Sequence, residues 1–183
     1  MMKQMLVALL VVTVALTASA GTALGAPEAP LAHSVEDDIS QIFPEYSENY
    51  TGQLSPEEVN GLLLALNDEY HAWAVYDQVI EDFGAVRPFV NIQRAEGKHI
   101  DALLRLFDSY GVSIPDNPWV GQVDSFDSRQ AACEAGVEAE ILNAELYDGL
   151  FQTTSRQDIL TVFESLQRAS QEKHLPAFQR CAG

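Results

Sequence analysis

The sequence predicts an all-α protein: an antiparallel bundle of four amphipathic helices preceded by an irregular N-terminal arm. Three observations predict it. Apolar residues recur at spacings of three and four over four long stretches, the repeat of a single helical face. Glycine, proline and Ser/Thr clusters mark the ends of those stretches. Short connections join the first stretch to the second and the third to the fourth, so each pair runs antiparallel.

The chain begins with Lys3, an apolar run from Leu6 to Leu16, and the small residues Ala18-Ser19-Ala20 and Ala23-Leu24-Gly25-Ala26. That is the layout of a secretory signal peptide, assigned here to residues 1–25, with cleavage after Ala20 or near Gly25. An uncleaved N-terminal anchor is the alternative. No later stretch is apolar enough to span a bilayer. Residues 26–54 hold Pro27, Pro30, Pro44 and the acidic run Glu36-Asp37-Asp38, and read as a linker or arm. Residues 55–183 form the helical domain.

The first helix opens on Ser55 as N-cap, Pro56 in the first turn and Glu58 completing a capping box. Val59, Leu62, Leu66, Glu69, Trp73, Tyr76, Ile80 and Phe83 form its stripe, and Gly84 stops it. The second starts near Arg87 or Pro88. Its stripe is Phe89, Ile92, Glu96, His99, Leu103, Leu106 and Tyr110, with Gly111 as the stop. Proline and glycine exclude regular helix from the long connection, Val112 to about Asp127. The third helix begins near Ser128 and shows Cys133, Val137, Glu140, Ala144, Tyr147 and Phe151. Ser155 with Asp158 is expected to cap the fourth, whose stripe is Ile159, Phe163, Leu166, Ser170, His174 and Phe178. Its last spacings are all four, so the stripe slips, and one inserted residue in a π-bulge would absorb the slip.

Charge and cysteines bound the function. Ten basic against 27 acidic residues give a net charge of −17, which argues against nucleic acid and against anionic membrane surfaces as partners. The blander use of an acidic surface is solubility. The two cysteines, Cys133 and Cys181, fall at one end of the bundle, and in an exported chain such a pair reads as a disulfide.

The chemistry sits in the stripes. Glu69, Glu96, His99, Glu140 and His174 all interrupt apolar faces. A buried carboxylate is costly unless it is paired, protonated or bound to metal. Residues three apart lie about 60° round a helix and about 4.5 Å along it, so Glu96 and His99 can reach one ion. Mixed oxygen and nitrogen donors suit iron or manganese, and also zinc. A dinuclear carboxylate plan needs a second Glu-x-x-His, but Gln171 stands three before His174; Glu172 would serve if a bulge turned it inward. Tyr76 and Tyr147 are candidates for hydrogen bonds to the carboxylates. The halves also echo each other: Glu69 with Tyr76-Asp77 repeats as Glu140 with Tyr147-Asp148. Gln93-Arg94-Ala95 and His99 repeat as Gln167-Arg168-Ala169 and His174, with one extra residue. The competing reading is a buried polar network of the same side chains without metal.

Asp68-Glu69-Tyr70 through Tyr76, Pro88-Phe89-Val90-Asn91-Ile92, Glu96-x-x-His99 and Tyr110-Gly111-Val112 together resemble the ferritin-like superfamily. Within it the chain is similar to an exported family known as a domain of unknown function, whose closing helix His174-Leu175-Pro176-Ala177-Phe178 fits. The resemblance covers about residues 54 to 181. It implies a four-helix bundle and a di-iron centre like that of rubrerythrins and bacterioferritins, with Glu69, Glu96, His99, Glu140 and His174 as ligands. It implies oxidation of Fe(II) by O₂ or peroxide if two metals bind, and Gln171 departs from that pattern. The expectation is therefore an exported protein that binds a divalent metal, with homo-oligomers allowed. The alternative is a metal-free or single-metal interaction bundle outside the cell, with no enzymatic activity.

Overall fold

Four helical segments account for the regular structure, and no strand occurs among the described residues. The computed structural model describes Phe43 and residues 49–183. The expected signal peptide and most of the expected arm lie outside them. Helix α1 is Pro56–Phe83, α2 is Phe89–Tyr110, α3 is Arg129–Leu150 and α4 is Gln157–Ala169. A π-helical turn, Ser170–His174, continues α4 into α5, Leu175–Ala182. The expected bulge is thus present where the stripe slips.

The ends follow local chemistry. Ser55 and Glu58 form the capping box of α1, each accepting from the other's main-chain N–H. Ser128 caps α3 through the Ala131 N–H. Gly111 ends α2 with φ +68°, a left-handed conformation that favours glycine. The start of α4 differs from expectation, because Arg156 and not Ser155 holds the cap position. The cause is a tether to the start of α1. Thr154 accepts the Arg156 N–H and donates to Glu58, while the Arg156 guanidinium reaches Glu58 and the Gln53 carbonyl. Asp158 is drawn to the Tyr110 hydroxyl instead.

Helix α1 packs along α2, α3 packs along α5, and α1 also meets α3. The core divides into two apolar clusters. One gathers Val59, Leu62, Leu66, Leu103, Phe107, Tyr147 and Phe163. The other gathers Tyr76, Val79, Phe89, Ile92, Cys133 and Phe178. Where the chain passes from one cluster to the other, each helical segment carries a buried polar residue: Glu69 between Leu66 and Tyr70 at the edge of the first cluster, Glu96 after Ile92, Glu140 after Cys133, His174 before Phe178. The break in the apolar core is therefore one belt of buried carboxylates and imidazoles.

Cys133 and Cys181 form a disulfide between α3 and α5, 48 residues apart. These are the two cysteines expected to pair. A closed loop of that length restricts the unfolded chain, so a Cys133→Ala/Cys181→Ala variant is expected to lose about 2–4 kcal/mol. Urea unfolding followed by circular dichroism measures that loss; an unchanged midpoint would show the crosslink to be dispensable.

Candidate metal centre

Each helical segment contributes to the belt. Helix α1 brings Glu69, α2 brings Glu96 and His99, α3 brings Glu140, and the π turn brings His174. Glu69, Glu96, Glu140 and His174 are buried, and His99 is nearly so. Glu96 lies at the centre. Its Oε2 is 2.7 Å from His99 Nδ1, and its Oε1 is 3.1 Å from His174 Nδ1. Glu69 Oε2 approaches His99 Nδ1 at 3.1 Å, and Glu140 Oε1 approaches His174 Nδ1 at 3.6 Å. The imidazoles stack with centroids 5.5 Å apart. Donor atoms of Glu96, His99 and His174 all lie within 4.8 Å of one another.

Two tyrosines hold the outer carboxylates, and they do so crosswise. The Tyr76 hydroxyl on α1 donates to Glu140 Oε1 on α3 at 2.9 Å. The Tyr147 hydroxyl on α3 donates to Glu69 Oε1 on α1 at 3.0 Å. Hydrogen bonds of this kind orient a ligand carboxylate and leave its other lone pairs free. Burial pushes both phenols well above their ordinary range, and the neighbouring carboxylates add to it, so they stay protonated donors.

The electrostatics describe a proton-loaded cluster. Burial alone would lower His99, but the hydrogen bonds it donates to Glu69 and Glu96 override it and raise its pKa to about 10. Burial likewise opposes protonation of His174, and Glu140 and Glu96 raise it to about 9. Burial presses Glu96 upward, yet its bonds to His174 and His99 hold it below the usual carboxylate range. Glu69 moves the other way, raised by burial and by the charge of Glu96. At neutral pH the metal-free cluster thus carries protons on both Nδ1 atoms. A divalent cation would take the place of those protons, because neutral imidazole and carboxylate are its ligands.

The structure does not bring Gln171 or Glu172 to this cluster. Both are exposed. The π turn is present, but it swings His174 inward and leaves Glu172 at the surface. Asp68, which the stripe pattern passes over, lies beside the cluster instead. It is half-buried, accepts from the Asn143 amide at 2.6 Å, and is raised to about 7 by burial, against that amide and with the charges of Glu140 and Glu96. The only signal for it was its place next to Glu69.

These features define an all-helical protein with a buried cluster of carboxylates and histidines. The family model described as an uncharacterized protein domain (DUF2202) matches residues 58–131, less than half of the chain. Those residues include Glu69, Glu96 and His99 but neither Glu140 nor His174. The solved structure of hypothetical protein MJ0754 from Methanococcus jannaschii DSM 2661 superposes with a TM-score of 0.62 at 24% identity, over 73% of this chain and 83% of that one. That likeness concerns the fold alone. No curated protein matches the chain.

Proposed function

We propose that this chain is an exported protein with an antiparallel ferritin-like bundle, and that it binds iron or a similar divalent metal through Glu69, Glu96, His99, Glu140 and His174. The observation that carries the reading is the aim of both imidazoles. Two histidines from different helices turn the same ring atom, Nδ1, onto one buried carboxylate, Glu96. Three carboxylates and two imidazole nitrogens are a donor set that suits iron, manganese and zinc. A bound iron would supply one-electron chemistry with dioxygen or peroxide. The protein's own contribution is to exclude water and to fix the outer carboxylates through Tyr76 and Tyr147. Export is supported by the signal-like N-terminus and by the disulfide, which persists in oxidising compartments.

Elemental analysis after anaerobic loading with Fe(II) tests the reading. Bound iron at one or more per chain is expected, and a His99→Ala/His174→Ala variant that still folds should lose it. Absence of metal from the loaded wild-type protein would overturn the proposal.

One observation favours a metal-free bundle. The five side chains already satisfy one another, and among the described residues the buried side-chain atoms without a partner, Asn60 Oδ1 and Asn143 Oδ1, belong to other residues. On that reading the cluster specifies the fold, and function lies on the acidic surface.

A further inference from the structure

The cluster is asymmetric in an otherwise repeated structure. Gln93 on α2 donates to Asp77 on α1 at 2.7 Å, and Gln167 on α4 donates to Asp148 on α3 at 2.8 Å. The Tyr76 ring packs on Phe89 at 6.0 Å, and the Tyr147 ring packs on Phe163 at 5.6 Å. With the crossed tyrosine bonds to Glu140 and Glu69, these contacts relate one helix pair to the other. They also fix the register. Phe89 corresponds to Phe163 and Gln93 to Gln167, so the position three residues further on is Glu96 in one pair and Ser170 in the other. Both are buried, 2% and 3% exposed. The extra residue of the π turn enters only after Ser170, and it restores the match of His99 with His174. Gln171, the residue that simple helical spacing from His174 picks out, is therefore not the counterpart of Glu96.

Ser170 lacks a carboxylate, and its hydroxyl donates to the Glu140 main-chain carbonyl at 3.3 Å. Glu96 alone among the three carboxylates approaches both histidines. Its donor atoms and theirs fall within one ion's reach of each other. Counted as one donor atom each, the five side chains fill the shell of one cation of four to six ligands, whereas two cations would have to share bridging carboxylates and would still lack the sixth side chain of the dinuclear plan.

Resting on the metal-binding reading, we infer that the centre holds one divalent cation tightly around Glu96, His99 and His174. Ser170 marks the position of the carboxylate that a second cation would require. The test is to load wild-type protein and Ser170→Glu with cobalt(II) without oxygen, remove the excess by gel filtration, and count metal per chain. One cobalt in the wild type and two in Ser170→Glu are expected. No cobalt in the wild type would overturn the metal-binding reading itself. Two in the wild type would leave that reading standing and overturn the single-cation inference. One in both folded proteins would show that Ser170 is not the missing position. Should Ser170→Glu fail to fold, Ser170→Asp poses the same question with a shorter side chain and is read the same way.

Discussion

Glu96→Gln is expected to abolish metal binding and to destabilise the metal-free protein by about 3–5 kcal/mol, the cost of breaking a buried ion pair by removing one partner. The size follows from geometry. Glu96 offers one oxygen to each histidine, at 2.7 and 3.1 Å. A glutamine keeps one acceptor and turns an N–H₂ donor toward the other protonated imidazole. One buried cation then has no carboxylate of its own on that side, and only Glu69 or Glu140 remains to it. Urea unfolding of apo-protein gives the stability change, and elemental analysis of loaded protein gives the metal change. Glu172→Gln is the control, since Glu172 is exposed and touches neither imidazole. It should leave both measurements unchanged. If folded Glu96→Gln retains the wild-type metal content, Glu96 is not a ligand and the site lies elsewhere.

The helices were legible because each carries its apolar stripe over several turns and ends at a capping residue or glycine. The belt was legible for the same reason, since a glutamate inside such a stripe has nowhere to point but inward. What periodicity misses is anything set by a neighbour in space. Ser155 looked like a cap, but tethering of Thr154 and Arg156 to Glu58 moved the helix start past it. Each tyrosine was placed near a carboxylate, but only packing shows that Tyr76 serves Glu140 and Tyr147 serves Glu69. The π turn was inferred from the slipped spacing. Its consequence for register was not, because the inserted residue could precede or follow Ser170, and the two placements choose different counterparts for Glu96. Asp68 lies one residue, about 100° of rotation, off the stripe. Asn143 on the neighbouring helix draws it toward the cluster, and nothing in the sequence of α1 announces that.

Metal affinity is expected to rise by at least about 100-fold per pH unit between pH 6 and 8, since displacing the two imidazole protons alone contributes about 2.7 kcal/mol per unit. The two protons are those on His99 and His174, whose pKa values of about 10 and 9 keep them bound throughout that window in the metal-free protein. Glu69, raised by burial, adds to the release where it is still protonated. The groups facing the imidazoles are Glu69, Glu96 and Glu140, with Asp68 beside them. The stability of the metal-free protein must run the other way. A histidine held above its ordinary 6.5 contributes its full stability below pH 6.5 and loses it as pH rises through 9 to 10. Glu69 acts in the same direction from its ordinary 4.5 upward. Glu96, shifted downward, contributes fully above 4.5 and weakens the fold only in strong acid. Apo-protein should therefore melt at progressively lower temperature from pH 7 to 10, while protein in excess metal gains stability over the first part of that range. Calorimetric titration in buffers of different ionisation heat counts the protons released, and melting curves with and without metal supply the two slopes. A binding constant independent of pH would mean that the metal does not replace the Nδ1 protons. Two melting curves of the same slope would place the metal away from this cluster and leave the imidazoles with their carboxylates as a permanent polar core.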